Sequence, residues 1–313
     1  QPGSTFKLFV WLAALRSGMH PDTLVDDSPI EQGSYQPQNS GARYRGSISL
    51  EEALVHSSNV VSVRLFQSLG GDAVVREARY LGVEGPLPAK DPSLALGTAT
   101  VSLIDMTAAF AGVAGNRYPV EPHAIPPDAP GWFGWLFDKQ KQYPSQMHAE
   151  MEEMLRAAVN RGTGRAARLS IANYGKTGTT QDNRDALFIG YAGNLVVGVW
   201  VGNDDNSPLS GVAGGGLPAR IWRDFMGQAV KGAAPARKPI PRPAVDVDSQ
   251  DDDGTGDGDS IDARLGDAQL RLDDQGAMTV STDIGGRPVE LRIDDQGVNI
   301  APARRPDPPP PEQ

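Results

Sequence analysis

The sequence has no cysteine, so disulfides, zinc–thiolate sites and thiol nucleophiles are excluded. Histidine is scarce. His20, His56, His123 and His148 show no short ligand spacing, and no metal or other cofactor is expected. Basic excess is missing too. Residues 1–231 carry 22 acids and 20 bases, whereas 232–313 carry 17 and 9, so the net charge of −10 comes mostly from the C-terminal region. Neither part looks like a nucleic-acid binder. Long apolar runs are also absent. The best candidate, 94–113, is rich in Thr, Ser and Gly and carries Asp105, which predicts a buried amphipathic helix rather than a membrane span. With 39% hydrophobic residues, part of the chain should lie outside any packed core. No signal peptide is visible, and a start at Gln1 rather than Met is expected of a piece of a longer protein.

Residues 4–17 are apolar almost all round, the pattern of a buried helix. A polar stretch from Asp26 to Ser47 reads as irregular loop. "SLEEALVHSSNVVSVRLFQSLG" predicts two helices broken at Ser57-Ser58-Asn59, with Ser49 and Glu52 as a capping box and Gly70 as the stop. Further helices are expected at 71–81, 101–114 and 146–160. "YGKTGTT", "ALFIGYA" and "LVVGVWVGN", separated by turn sequences, predict a three-stranded antiparallel meander, and "LPARIWRDFMGQAV" a closing helix with Pro218 near its start.

Composition changes after Lys231. Residues 232–260 are Pro-rich and then Asp/Gly-rich, as in a linker. "LRLDDQGAMTV" (270–280) returns as "LRIDDQGVNI" (291–300), which predicts two small pairing hairpins within 261–300; 301–313, with "PPPP", reads as a disordered tail.

Three short constellations carry chemistry. On a helix Ser4 and Lys7 share a face, at a first turn whose free N–H groups favour negative charge. Lys7 stands among Phe6, Leu8, Phe9 and Trp11, where desolvation favours the neutral amine that can accept a serine proton. Ser57-Ser58-Asn59 opens a helix. Lys176, Thr177 and Thr179 put a cation and two hydroxyls around Gly178 on a strand, a set suited to a carboxylate. Each has a blander reading: Ser4 as a cap with Lys7 reaching solvent, Ser57-Ser58-Asn59 as a cap, and Lys176 exposed on an edge strand. "YGKTGTT" lacks the glycine a phosphate loop needs at position 170, which is Ser170. "GTGRAA" follows a helix, not the strand a dinucleotide fingerprint requires.

Ser-x-x-Lys, Ser-x-Asn and Lys-Thr-Gly in this order are the three motifs of the penicillin-binding protein and serine β-lactamase superfamily. Together with "QPGSTFK", "LALGT", "GTGR", "GKTGTTQDNRDA", "VVGVWVGND" and "LPARIW", residues 1–231 resemble the transpeptidase module of class A (bifunctional) penicillin-binding proteins. The resemblance implies an α+β fold, an antiparallel sheet between helices with a helical subdomain. It also implies that two N-terminal strands are missing from this chain, and hence poor folding on its own. Ser4 would attack the D-Ala–D-Ala bond of a peptidoglycan stem peptide and Lys7 would activate it. Ser57 would relay protons between Lys7, Lys176 and the leaving amine. Asn59 would hold the donor peptide, the N–H groups of Ser4 and Thr179 would form the oxyanion hole, and Thr177, Gly178 and Thr179 would line the carboxylate site. A second stem peptide would supply the acceptor amine, and β-lactams would trap Ser4. The implied location is the periplasmic face of the inner membrane, with another cell-envelope protein as a partner for the C-terminal repeats. A D,D-carboxypeptidase, a β-lactamase and a β-lactam-sensing receptor domain are the alternatives.

Overall fold

The computed structural model describes residues 1–31, 35–124, 140–180 and 183–230, and the strands of 261–302. The chain divides into two compact units, Gln1–Ala236 and Arg237–Gln313.

In the first unit a 3-10 turn, Gly3–Phe6, runs directly into helix α1, Lys7–Arg16. Every residue from Lys7 to Leu15 is buried, which explains the all-round apolar pattern: α1 packs on α3 (Asn59–Leu69), α4 (Gly71–Tyr80) and α6 (Ser145–Asn160) and has no solvent face. The Trp11 indole N–H donates to the Leu50 carbonyl at 3.0 Å and ties α1 to α2, Leu50–Val55. Ser49 caps α2 by accepting from Glu52 N–H, as the capping box predicts, and Gly70 ends α3 with φ +79°. Residues 94–113 are not one helix. A 3-10 turn, Pro92–Leu96, ends at Gly97, and α5 begins only at Leu103 and runs to Ala114. The loop between Asp26 and Ser47 is bracketed by two short paired strands, β1 (Leu24–Asp26) and β2 (Ser47–Ser49).

The predicted meander is present as β3 (Tyr174–Thr179), β4 (Asp185–Ala192) and β5 (Leu195–Gly202), in the order β3-β4-β5. Side-chain alternation separates two cores. Ile189 and Tyr191 join the large core around α1 and α5, while Phe188 and Ala192 join the one under α7, Leu217–Ala229. The Trp222 indole N–H of α7 donates to the Val197 carbonyl at 3.1 Å and fixes that helix to the sheet. This is an α+β fold with the antiparallel sheet between helices and a helical region beside it.

In the second unit five antiparallel strands form one sheet in the order β10-β9-β8-β7-β6: β6 (Ile261–Leu265), β7 (Ala268–Leu272), β8 (Met278–Ile284), β9 (Arg287–Asp294) and β10 (Gly297–Pro302). The two repeat copies are the hairpins β7–β8 and β9–β10, paired through β8 and β9, and β6 adds a fifth strand. Residues 231–260, 266–267, 273–277, 285–286, 295–296 and 303–313 lie outside the described residues, and with them the linker expected at 232–260 and most of the tail expected at 301–313.

Gly97 locks the turn that carries Ser4. It has φ +76°, it accepts the Gly3 N–H at 3.2 Å, and a Cβ there would stand 2.1 Å from the Gly3 carbonyl oxygen. Gly97→Ala should therefore cost about 2–4 kcal/mol through overpacking and left-handed strain. The expected readout is a melting temperature lower by about 5–15 °C. An unchanged melting temperature would mean that the Gly3 turn yields freely.

Candidate active site

Ser4 is half-buried in the 3-10 turn, between buried neighbours. Gly3 and Thr5 spend their N–H groups on the carbonyls of Gly97 and Pro2, and the Ser4 N–H lies between them at the start of the turn. One turn on, Lys7 is 0% exposed. Its Nζ donates to the Ser57 carbonyl at 2.7 Å, to Asn59 Oδ1 at 2.7 Å and to Ser57 Oγ at 3.3 Å.

Ser57-Ser58-Asn59 divides its labour. Ser58 is the helix cap, accepting from Val61 N–H at 3.0 Å. Ser57 adopts φ +54°, an uncommon left-handed conformation for serine, and its hydroxyl receives both lysines. Lys176, 1% exposed on β3, donates to Ser57 Oγ at 2.9 Å and to the Thr177 carbonyl at 3.1 Å. The cap of α3 is thus Ser58, while the adjacent Ser57 faces the two lysines.

Burial sets the electrostatics. Desolvation lowers Lys176 to about 7. Lys7 falls well below its ordinary 10.5, mainly by desolvation and further by the nearby Lys176, with Asp27 acting in the opposite sense.

Gly178 lets the turn that carries Ser4 approach β3, since a Cβ there would stand 2.6 Å from the Pro2 carbonyl oxygen. Thr180 N–H pairs with the Asp185 carbonyl at 3.0 Å, and Thr179 faces Ala186. Antiparallel alternation then directs the N–H of Thr179 away from β4, off the edge of the sheet, where Gly3 packs against it. Thr179 Oγ1 accepts from Gly214 N–H at 3.0 Å, so its own proton is available to a ligand. Thr177 Oγ1 lies 2.7 Å from Thr163 Oγ1.

The structure therefore brings Ser57, Asn59, Lys7, Lys176 and Thr177 into one hydrogen-bonded cluster and sets the turn of Ser4 against Gly178 and Thr179. Sequence reasoning missed three supporting residues. Asp27, fully buried, accepts from Ser58 Oγ, from Asn39 Nδ2 at 2.7 Å and from Arg45 N–H at 3.1 Å. Asn39 Oδ1 in turn accepts from Asn59 N–H at 2.8 Å and orients the start of α3. Both lie in a polar stretch without periodicity, so no signal marked them. Thr163 had one, its place in "GTGR". A cavity of about 500 Å³ between β1 and α3 contains none of the motif residues. No group of three or more metal-ligating side chains occurs among the described residues, and no helix among them is long and apolar enough to cross a membrane.

The profile of the penicillin binding protein transpeptidase domain matches residues 1–227. The chain belongs to this family. It is 33% identical over 261 residues to penicillin-binding protein 1A of Neisseria meningitidis, covering 74% of this chain and 32% of that protein. To penicillin-binding protein 1A of Rickettsia conorii it is 32% identical over 266 residues, covering 74% and 34%. The chain thus spans about a third of the length of the curated relatives it matches. Among solved structures it is similar to penicillin-binding protein 1A of Haemophilus influenzae (TM-score 0.64, 27% identity, 76% of this chain and 43% of that one). It is equally similar to PonA1 of Mycobacterium tuberculosis (TM-score 0.64, 27% identity, 76% and 71%), which is also known in complex with penicillin V. These neighbours share the transpeptidase-domain fold described above.

The buried lysines should make stability rise with pH. In the unfolded chain they hold their protons up to about 10.5, whereas in the fold Lys176 releases its proton at about 7. Below about pH 7 the penalty of burying the charge is fully present. Between about 7 and 10.5 the unfolded chain binds more protons, so stability increases by at most about 1.4 kcal/mol per pH unit for this lysine. Lys176→Met should flatten the rise and be most stabilising near pH 6. Urea unfolding near pH 6, 7.5 and 9 checks this; a flat profile in the parent protein would show the lysines to be solvated.

Proposed function

We propose that this domain is a serine-type D-Ala–D-Ala transpeptidase with Ser4 as nucleophile. The observation that carries the reading is the convergence of two buried lysines on the Ser57 hydroxyl, one of which, Lys7, stands a single turn along the chain from Ser4. Buried amines with depressed proton affinity serve as bases at neutral pH, which exposed lysines do not.

In the proposed reaction the Lys7 amine takes the Ser4 hydroxyl proton while Oγ bonds to the carbonyl carbon between the two terminal D-alanines. The developing oxyanion accepts from the N–H groups of Ser4 and Thr179. The C–N bond then breaks, and the proton passes from Lys7 through the Ser57 hydroxyl to the departing D-alanine amine. An amine from a second stem peptide attacks the acyl-enzyme, loses its proton along the reverse route and restores Ser4. Thr177, Thr179 and Lys176 receive the terminal carboxylate, and the Asn59 amide, held by Lys7 and by the Gln38 carbonyl at 2.8 Å, contacts the donor backbone. Penicillins enter the same sequence and stop at the acyl-enzyme; the penicillin V complex of PonA1 supports β-lactams as ligands of this fold. Because the chain spans about a third of relatives named penicillin-binding protein 1A, we place it in a longer cell-wall synthase acting in the cell envelope, on the periplasmic side of the membrane. Residues 1–231 form its catalytic part, with 232–260 as linker, 261–300 as an appended β module and 301–313 as tail.

A fluorescent penicillin should label Ser4 alone, with an acyl-enzyme stable for many minutes. Lys7→Ala should abolish labelling. Lys7→Arg should do the same, because guanidinium stays protonated. Peptide mapping of the label to Ser57, or rapid hydrolytic turnover of the penicillin, would overturn the assignment, the latter in favour of a hydrolase.

A further inference from the structure

The strand register of the second unit separates its residues into two faces with little mixing. On one lie Ile261, Ala263 and Leu265 of β6, Leu270 and Leu272 of β7, and Met278, Val280 and Ile284 of β8, with the polar Thr282 among them; β9 and β10 continue it with Val289, Leu291, Ile293, Val298 and Ile300. The single charge on that face is Arg287, at the first position of β9. The other face holds Asp262, Arg271, Thr279, Ser281, Glu290, Arg292 and Asn299, of which Arg292 is exposed and Thr279 and Ser281 half-buried. A sheet with one predominantly apolar face buries it best under another layer. Among the described residues of this unit there is no helix. Its remaining sequence offers no cover either: 237–260 has only Ile240, Val245 and Val247 as large apolar residues, and 303–313 has none.

We infer that this face packs against the same face of a second copy of the chain, forming a two-sheet sandwich across a twofold axis. Three observations select that occupant. The face is almost uncharged, so it matches an apolar surface and not a charged segment. It has no aromatic residue anywhere in 261–302, whereas surfaces that rest on a bilayer carry Trp, Tyr or Phe at the headgroup level. Its size also fits. Five strands at about 4.8 Å spacing and about six residues at about 3.3 Å rise give about 500 Å² per copy. Two copies bury about 1,000 Å², the lower bound for a specific interface, so the dimer should be weak and sensitive to concentration. A twofold pairing needs only self-complementarity, which two identical sheet faces crossing at about 30° provide.

Sedimentation of the full chain, residues 1–313, tests this. The parent protein should pass from monomer to dimer over about 1–200 μM. Val280→Asp and Leu291→Asp, facing each other at the centre of the apolar face, should each weaken association at least tenfold, while Thr279→Lys on the polar face should not. Because an apolar-to-charged change could unfold the sheet, a second measurement leaves that face intact. The chain lacks cysteine, so Ser281→Cys on the polar face accepts a single spin label, and electron–electron dipolar spectroscopy should show an intermolecular distance. A parent protein monomeric throughout, dimerisation that survives both aspartate variants, absence of an intermolecular distance, or partition of the parent chain into vesicles instead of dimers would each overturn the inference.

Discussion

One serine hydroxyl between two buried lysine amines is the constraint on which the rest of the first unit depends. Two ammonium groups cannot both stay charged without water at this spacing, so the site holds together only if at least one amine gives up its proton. Removing water requires α1 to be apolar all round, α6 and the sheet to close over β3, and Asp27 to supply the compensating negative charge from beneath Ser58. The apparent oddity of a lone lysine in an apolar helix is therefore the reason the helix is central. A solvated Lys7 would leave Ser57 an ordinary loop serine, with no cause to adopt a left-handed backbone conformation.

Much of this could be read in the sequence, because the chemistry is carried by short local spacings. Ser4 and Lys7 are one turn apart, and Lys176, Thr177 and Thr179 follow one another on a single strand. The helices are legible where a cap coincides with an amphipathic run, as at Ser49–Glu52. The reading failed where structure depends on contacts distant in the chain. Asp27 and Asn39 stabilise Ser58 and Asn59 from 19 to 31 residues away, and nothing in their neighbourhood has a period. The run 94–113 reads as one helix by hydropathy, yet the close approach of Gly3 to Gly97 requires a break there. Strand β6 has no counterpart in the repeat, so counting hairpins gave four strands instead of five.

The two units invite opposite kinds of inference. In the first, side-chain hydrogen bonds decide function, and the backbone matters for where it lets side chains meet. In the second, strand register alone separates apolar from polar residues. A repeated hairpin preserves that separation only if the repeat length keeps alternation in phase. Leu270 and Leu291 occupy the same face although their copies differ in sequence, and Val280 lies opposite both. The two copies agree most closely at the turn sequence Asp-Asp-Gln-Gly and at the Leu-Arg before it, while the strand residues after the turn differ in identity, so the register of each hairpin and not residue-by-residue identity gives the apolar face.

The edge of the catalytic sheet shows why geometry and chemistry cannot be chosen separately. A β-strand added beside β3 would satisfy its outward N–H and C=O groups and remove a liability for aggregation. It would also consume the outward N–H of Thr179, the donor we propose for the oxyanion. The fold covers that edge with the 3-10 turn of Gly3–Phe6 instead, which touches the Thr179 backbone through a glycine. A turn, unlike a strand, has no regular ladder of acceptors, so it can shield the edge while leaving one donor free. It also leads into a helix, and the Ser4 N–H lies in its first turn between the Gly3 and Thr5 N–H groups, which are spent on the carbonyls of Gly97 and Pro2. The positions of the proposed nucleophile, of both proposed oxyanion donors and of the cover on the sheet edge thus follow from placing the start of one helix against the end of one strand.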